Sequence, residues 1–293
     1  MMILDLNQVM ISNLFRMIEN RNSIQIDKNV LRHMILNSIR AIKVKFFNEF
    51  GELVIACDDK NYWRKQFFPY YKANRKKNRD KSDLNWSEIY EYLGEIKQEL
   101  KEYFHYRVIS IENAEADDII GTLIMEYGEL INDWSFGQPE AEKILIVSGD
   151  KDFIQLHKYQ NVKQYDHVNK RYITHDNPDM FIKEHILKGD VSDGIPNFLS
   201  NDNCFVIGER QKSLTFKKIE HYLSISPDEY EDERLKRNYY RNAYLIDLTY
   251  IPEEIKGRVI EEYKSEAGKT KTKLFNYFVK KRLNILMEHI NEF

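Results

Sequence analysis

The chain has 293 residues, 42% of them hydrophobic and 31% charged, with a net charge of only −3. That length suits one large domain or a domain plus a smaller lobe, and the near-neutral balance excludes any global electrostatic attraction to nucleic acid. No apolar run approaches the length of a membrane span, and the N-terminus carries neither a charged leader nor a long apolar core.

Met2-Ile3-Leu4 reads as a short strand closed by Asp5. Residues 28–46 place Val30, Leu31, Met34, Ile35, Ile39 and Ile42 at helical spacing. A second strand, Leu53-Val54-Ile55-Ala56-Cys57, is closed by Asp58. Cys57 ends a central strand, so it is expected to be unpaired, as in a reducing cytoplasm. Residues 60–82 stand apart. Phe67, Phe68, Tyr70 and Tyr71 interleave with cations, and Lys60 to Lys81 holds nine Lys/Arg against one acid, Asp80. Such a segment, with few positions for a core, is expected to arch over a site and to order when nucleic acid binds. Residues 86–104 read as a helix, 107–111 as a third strand, and Ala116 to Glu126 as a helix. The fourth strand, Lys143 to Val147, runs into Ser148-Gly149-Asp150-Lys151-Asp152. Tyr165 and Tyr172 flank a hairpin turn near Asn169. Strand–helix alternation predicts an α/β fold, a central and mostly parallel sheet with helices on both faces. From about residue 177 helical patterns dominate, broken by 189–196, Gly208 and Pro252, which predicts a C-terminal helical lobe. The expected division is a catalytic α/β domain over 1–176, including the basic arch 60–82, and a lobe over 177–293. A second basic stretch, Lys264 to Arg282, has seven Lys/Arg against Glu266.

The acids carry the chemistry. In an open α/β sheet, ligands bind at the carboxyl edge of the strands. Asp5, Asp58 and Asp150 all fall there, with Glu115 and Asp117 at a helix start and Asp190 and Asp193 in a Gly-Asp-Pro loop. Each has a plainer reading: Glu115 and Asp117 as helix caps, Asp150 and Asp152 as a turn and N-cap, Asp190 and Asp193 as ordinary loop residues. It is the joint pattern of eight carboxylates that points further. Each like-charged pair at about 4 Å costs roughly 4 kcal/mol at an effective dielectric of 20. Divalent cations would relieve this, and oxygen-only ligands suit magnesium or manganese. His157, His175 and His185 have no zinc-like spacing with a nearby Cys and are expected to be core or surface residues. Basic stretches beside an acidic metal pocket suit a phosphodiesterase.

The stretches "HMILNSI", "YWR", "YYKANR", "EADD", "KILIVSGDKDFIQLHKYQNVKQ", "ILKGD", "YIPEEI" and "YFVKK…INEF" run nearly end to end. They resemble the flap-endonuclease superfamily of structure-specific 5′ nucleases, and within it the ribonuclease H (5′ to 3′ exonuclease) branch of T-even-type bacteriophages. The resemblance implies cleavage of RNA–DNA hybrids, duplex DNA and 5′ flaps and removal of lagging-strand RNA primers. It implies two Mg2+ ions, with Mn2+ able to substitute. Asp5, Asp58, Glu115, Asp117 and Asp150 would surround the first metal. Asp152, Asp190 and Asp193 would surround the second, with Asp150 shared. Asp117 and Asp150 would be central to catalysis, and Lys72 and Arg75, three apart on one helix face, would meet the scissile phosphate. Tyr71 would stack on a terminal base, with simple packing as its other reading. Arg64, Lys65, Lys76 and Lys77 would contact backbone phosphates. Lys212, Lys217 and Lys218 would do so in the lobe or form a solvated helix face. There the segment Val206–Lys212 lacks the repeated glycines usual in the family's duplex-holding turn. The implied setting is a host bacterial cytoplasm, with the protein a monomer. A single-stranded DNA-binding protein or sliding clamp would be a partner, any clamp contact coming from elsewhere than the N-terminus, because the chain begins almost at its first strand. Two other readings compete: a non-cleaving replication scaffold, disfavoured because carboxylates repel phosphate, and a small-substrate phosphohydrolase, disfavoured by the long basic segment.

Overall fold

The computed structural model describes residues 1–21, 26–79, 81–129 and 142–293. Among the described residues six strands form one sheet: β1 (Met2–Asp5), β2 (Leu53–Ala56), β3 (Arg107–Ile109), β4 (Ile144–Val147), β5 (Val162–Asp166) and β6 (Arg171–Ile173), in the order β3-β2-β1-β4-β5-β6. All pairs are parallel except β5–β6, a hairpin in which Tyr165 faces Tyr172. The order reverses between β1 and β4, so the crevice lies at their carboxyl ends.

The central strands are apolar throughout because both faces are covered. Met2, Leu4, Ile55, Val108, Leu145 and Val147 point to one face. There they pack under α1 (Leu6–Arg21), α2 (Lys28–Phe50) and the buried side chains of residues 89–104. Ile3, Val54, Ala56, Ile109, Ile144 and Ile146 point to the other face, under Ile119, Ile120, Leu123 and Ile124. The helix α1 carries no strong sequence signal and stands outside the elements that the sequence predicts. It follows Asp5 directly and buries Leu6, Val9, Leu14 and Met17.

The arch segment holds α3 (Trp63–Phe67) and α4 (Ala73–Arg79), followed by α5 (Trp86–Tyr103) and, after β3, α6 (Ala116–Tyr127). Contrary to the expectation of a core-poor segment, Trp63, Arg64, Phe68 and Tyr71 are buried. Beyond β6 come α7 (Pro178–Lys188), α8 (Cys204–Ile207), α9 (Phe216–Leu223), α10 (Glu233–Ile246), α11 (Glu253–Ser265), α12 (Leu274–Lys280) and α13 (Asn284–Met287). Leu187, Phe198, Ile219, Tyr230 and Leu235 build a small core of their own. The last helices return to the sheet. Ile255 and Val259 of α11 join the α6 face, and Leu274, Tyr277, Phe278 and Phe293 join the opposite one. A fourth cluster of Phe68, Tyr71, Ile195, Leu245 and Ile246 joins the arch to α10. Cys57 and Cys204 are buried and free, and among the described residues no helix is long and apolar enough to cross a membrane.

Candidate active site

Four strand ends and one loop supply the acids. Asp5 is the last residue of β1, and Asp58 lies two residues past β2. Beyond β3 the chain turns through Asn113, in the left-handed region at φ 64°, to Glu115, the N-cap of α6. Asp150 caps a 3₁₀ turn (Lys151–Lys158) that follows β4, its carboxylate accepting from the Asp152 N–H at 3.0 Å. Hydrogen bonds knit these ends together. Ser148 Oγ donates to Asp5 at 3.2 Å, the Gly149 N–H donates to Gln8 Oε1 at 2.7 Å, and the Ala116 N–H donates to Asp58 at 2.7 Å. Asn7 Nδ2 donates to the other Asp58 oxygen at 2.5 Å.

Crowding is visible in the proton affinities. Burial, then the Asp58 charge, pushes Asp5 up to about 6. Burial raises Asp58, partly offset by the Ala116 N–H and Lys72. Asp117 is raised well above the carboxylate range by burial and then by Asp150, Glu115 and Asp5. Asp150, although its side chain reaches water, is pushed up to about 7 by partial desolvation and by Asp152, Asp193 and Asp5. These are the signs expected of like charges held together out of bulk water.

The arch supplies the opposite charge. Lys72 Nζ is bonded to Glu115 and lies 3.5 Å from Asp193, while Arg75 NH2 donates to Asp193 at 2.6 Å. Burial alone would raise Asp193, but Lys72 and Arg75 hold it below the usual carboxylate range. Lys72 is not on the face of α4, as its spacing suggested. It precedes that helix in the left-handed region at φ 54°. Its N–H donates to the Asp193 carbonyl at 2.7 Å, so the arch is stapled to the 190–195 loop. Gly194 permits this approach: at φ +73° a Cβ there would meet the Tyr70 carbonyl at 3.0 Å.

Asp152 and Asp190 share an unexpected companion. His185, in the last turn of α7, lies 2.9 Å from Asp152 Oδ1 and 3.9 Å from Asp190 Oδ2. The three donor atoms all fall within 4.8 Å of one another. Burial would lower His185, but its hydrogen bond to Asp152 and the Asp190 charge raise it. His185 is thus a half-buried histidine whose ring meets two of the acids. Its only sequence signal is its place five residues ahead of Asp190, across the helix-ending Gly189.

Two other expectations are corrected. Arg64 cannot serve as a backbone-phosphate contact. It is 3% exposed, with NH1 2.9 Å from Glu115 and 2.8 Å from Asp118 and Nε on the Leu245 carbonyl at 2.8 Å. Tyr71 cannot stack on a terminal base, because it is 2% exposed and its hydroxyl donates to Glu115 at 3.0 Å and Asp193 at 2.9 Å. Lys65 is exposed, as are Lys212, Lys217 and Lys218, which flank the start of α9 in the helical region apart from the acids. Lys76 and Lys77 lie outside the residues whose side chains are described.

The donor chemistry fits divalent cations. Oxygen donors from eight carboxylates gather at one sheet edge, and Asp5, Asp58, Asp117 and Asp150 are raised first by burial and then by neighbouring carboxylates, with Lys72 offsetting only part of this at Asp58 and Asp117.

A doubly covered, mostly parallel sheet with acids at its switch point and a basic segment across them defines a nuclease of the resolvase-like class. Residues 1–185 match the 5′-3′ exonuclease N-terminal resolvase-like domain and residues 176–293 match the T4 RNase H C-terminal domain, and the chain belongs to the 5′-3′ exonuclease family. It is 33% identical to the ribonuclease H of Enterobacteria phage T4, over 99% of this chain and 95% of that one. A flap endonuclease Xni of Shewanella piezotolerans is 33% identical over 38% of this chain and 36% of its own length. The T5 D15 protein co-crystallised with metal ions shares the fold, with a TM-score of 0.60 and 15% identity over 91% of this chain and 99% of that one.

Proposed function

We propose that this nuclease is a magnesium-dependent, structure-specific 5′ nuclease that hydrolyses RNA–DNA hybrids, duplex DNA and 5′ flaps. In this reading it removes lagging-strand RNA primers, acting as a monomer in a bacterial cytoplasm. The observation that carries the reading is the union, at one sheet edge, of eight carboxylates with Lys72 and Arg75 from the arch. Asp5, Asp58, Glu115, Asp117 and Asp150 would hold one divalent ion, and Asp152, Asp190 and Asp193 a second. When bound, two such ions supply Lewis-acid chemistry that activates water and offsets charge on the phosphate.

The chain's own groups do the rest. Among the described residues no side chain is placed as a nucleophile, so the carboxylates orient and the cations bind. Lys72 and Arg75 hold Glu115 and Asp193 in the free protein, and a phosphate entering beneath the arch would compete for the same donors. Arg can meet a phosphate through two N–H groups at once. Lys65 on the arch, and Lys212, Lys217 and Lys218 around α9, would hold the backbone on either side. Residues 1–176 would then be the catalytic unit and 177–293 the duplex-holding one, with Asp190 and Asp193 reaching back from the second. Similarity to a phage T4 ribonuclease H over nearly the whole chain supports the hybrid substrate, and the proposed primer removal would set the protein in replication. In that setting a single-stranded DNA-binding protein or sliding clamp would be a partner.

The test is cleavage of a 5′-labelled RNA primer on DNA beside a 5′-flap duplex, with magnesium, with chelator and with Asp150→Asn. Short 5′ products that require magnesium and disappear in the variant support the proposal. Binding of both substrates without cleavage would replace it with the scaffold reading.

A further inference from the structure

We propose that His185 is a nitrogen ligand to the ion held by Asp152 and Asp190, making this a mixed nitrogen–oxygen position that favours transition-metal ions over magnesium. The inference rests on the reading above for the divalent ion that Asp152 and Asp190 would face, and revises magnesium to a transition-metal ion at this one position.

The geometry is preorganised. Gly189, at φ +67°, ends α7 with its N–H on the His185 carbonyl at 2.8 Å. This turn brings the next residue, Asp190, back beside the imidazole. Asp190 Oδ1 is taken by the Ser192 N–H and hydroxyl, both at 2.7 Å. That leaves Oδ2 as the oxygen nearest His185. The Asp152 backbone is fixed in turn by its N–H on Asp150. Phe181, one helical turn before His185, lies against its ring at 5.6 Å with the planes 30° apart, which limits rotation of the imidazole.

The spacing suits one ion. Imidazole nitrogens and carboxylate oxygens bind such ions at about 2.0–2.2 Å, which puts neighbouring donors roughly 3 Å apart. Here His185 and Asp152 are already 2.9 Å apart, and Asp190 needs to close from 3.9 Å by less than about 1 Å. All three side chains are 18–19% exposed, open enough to admit an ion. An imidazole suits zinc and its transition-metal neighbours, whereas an all-oxygen set suits magnesium. The oxygen-only ligand set read from the acids is thus incomplete at this position.

A competing role for His185 is to orient Asp152 through an N–H hydrogen bond. His185→Gln separates the two, because a Gln amide can still donate to Asp152 but offers no imidazole nitrogen. The experiment is pulsed electron paramagnetic resonance of Mn2+ bound to the full chain, with bound ion counted from the free-Mn2+ signal. It is run beside calorimetric titration with Zn2+ and with Mg2+. The wild type should show 14N coupling to bound Mn2+, and His185→Gln should lose it while still binding Mn2+. Zn2+ affinity should fall about tenfold or more in the variant, with Mg2+ affinity changed far less. Bound Mn2+ without 14N coupling in the wild type, or coupling that persists in the variant, overturns the inference and leaves the nuclease reading standing. No bound Mn2+ in either protein overturns both. Thermal melting of the metal-free proteins checks that the variant is folded.

Discussion

The two sides of the acidic cleft are built from the same residue type and behave in opposite ways. On the arch side, Glu115 and Asp193 are enclosed by Arg64, Lys72, Arg75 and the Tyr71 hydroxyl. Asp193 is accordingly held low although it is buried. On the sheet side, Asp5, Asp58, Asp117 and Asp150 are all raised, by burial first and then by neighbouring carboxylates. One half is neutralised by the fold itself, while the other half awaits charge from outside. Carboxylates alone therefore do not locate a cation. The raised acids are the ones whose charge the fold offsets least.

The sheet side should fail first in function. Asp117→Asn is expected to reduce cleavage of the hybrid substrate by at least about a thousandfold, roughly 4 kcal/mol of barrier. Folding should survive, because the replacement removes repulsion. Activity within tenfold of wild type in a single-turnover assay would break the distinction between the two halves.

The arch side should fail first in stability. Arg64 is buried between Glu115 and Asp118, so Arg64→Met leaves two acids without their partner. Breaking a buried pair in this way costs about 3–5 kcal/mol. Urea denaturation should show this loss, whereas Lys65→Met, one residue on but exposed, should change stability by less than about 0.5 kcal/mol. Lys72→Ala stands between the halves. Cutting should slow by about a hundredfold, as for loss of a donor to the reacting phosphate, with substrate affinity changed little. An equal fall in affinity would make Lys72 a general backbone contact.

The same contrast explains what could be read from sequence. Asp5, Asp58 and Asp150 are conspicuous because each follows an apolar run too short for anything but a buried strand. The parallel sheet, the Tyr165–Tyr172 hairpin and the helix after Glu115 followed from the same periodicity. Arg64 reads as a phosphate contact, and stacking and packing stay level for Tyr71, because a basic, aromatic segment looks solvent-facing until its partners are known. Those partners, Glu115, Asp118, Asp193 and the Leu245 carbonyl, come from as far as 181 residues away. His185 was missed for a related reason. A histidine in a helix shows no chemistry until Gly189 turns Asp190 back beside it, and the Asp152 carboxylate arrives from the 3₁₀ turn after β4.

The smallest effect is the most direct measure of the uncompensated charge. Asp150 has a folded-state affinity near 7, above its unfolded value near 3.8, so between those limits the folded chain binds more protons than the unfolded one. Stability of the metal-free protein should therefore decline as pH rises from about 4 to about 7, and Asp5, at about 6, adds to the decline. Asp193 acts in the opposite sense. Its lowered affinity gives stability that is present above the unfolded pKa and lost as pH falls through the folded one. Asp150→Asn should flatten the neutral-side decline and leave the acid-side loss intact. Because Asp150 touches solvent, the gain at pH 7.5 should be on the order of 1 kcal/mol, a Tm increase of roughly 2–4 °C. Magnesium should raise the wild-type Tm by more than it raises that of the variant, since a ligand of the native state stabilises in proportion to its occupancy. A metal-free wild type whose stability is flat from pH 4 to 7 would mean that the sheet-side acids do not share their charge, and the asymmetry of the cleft would have to be abandoned.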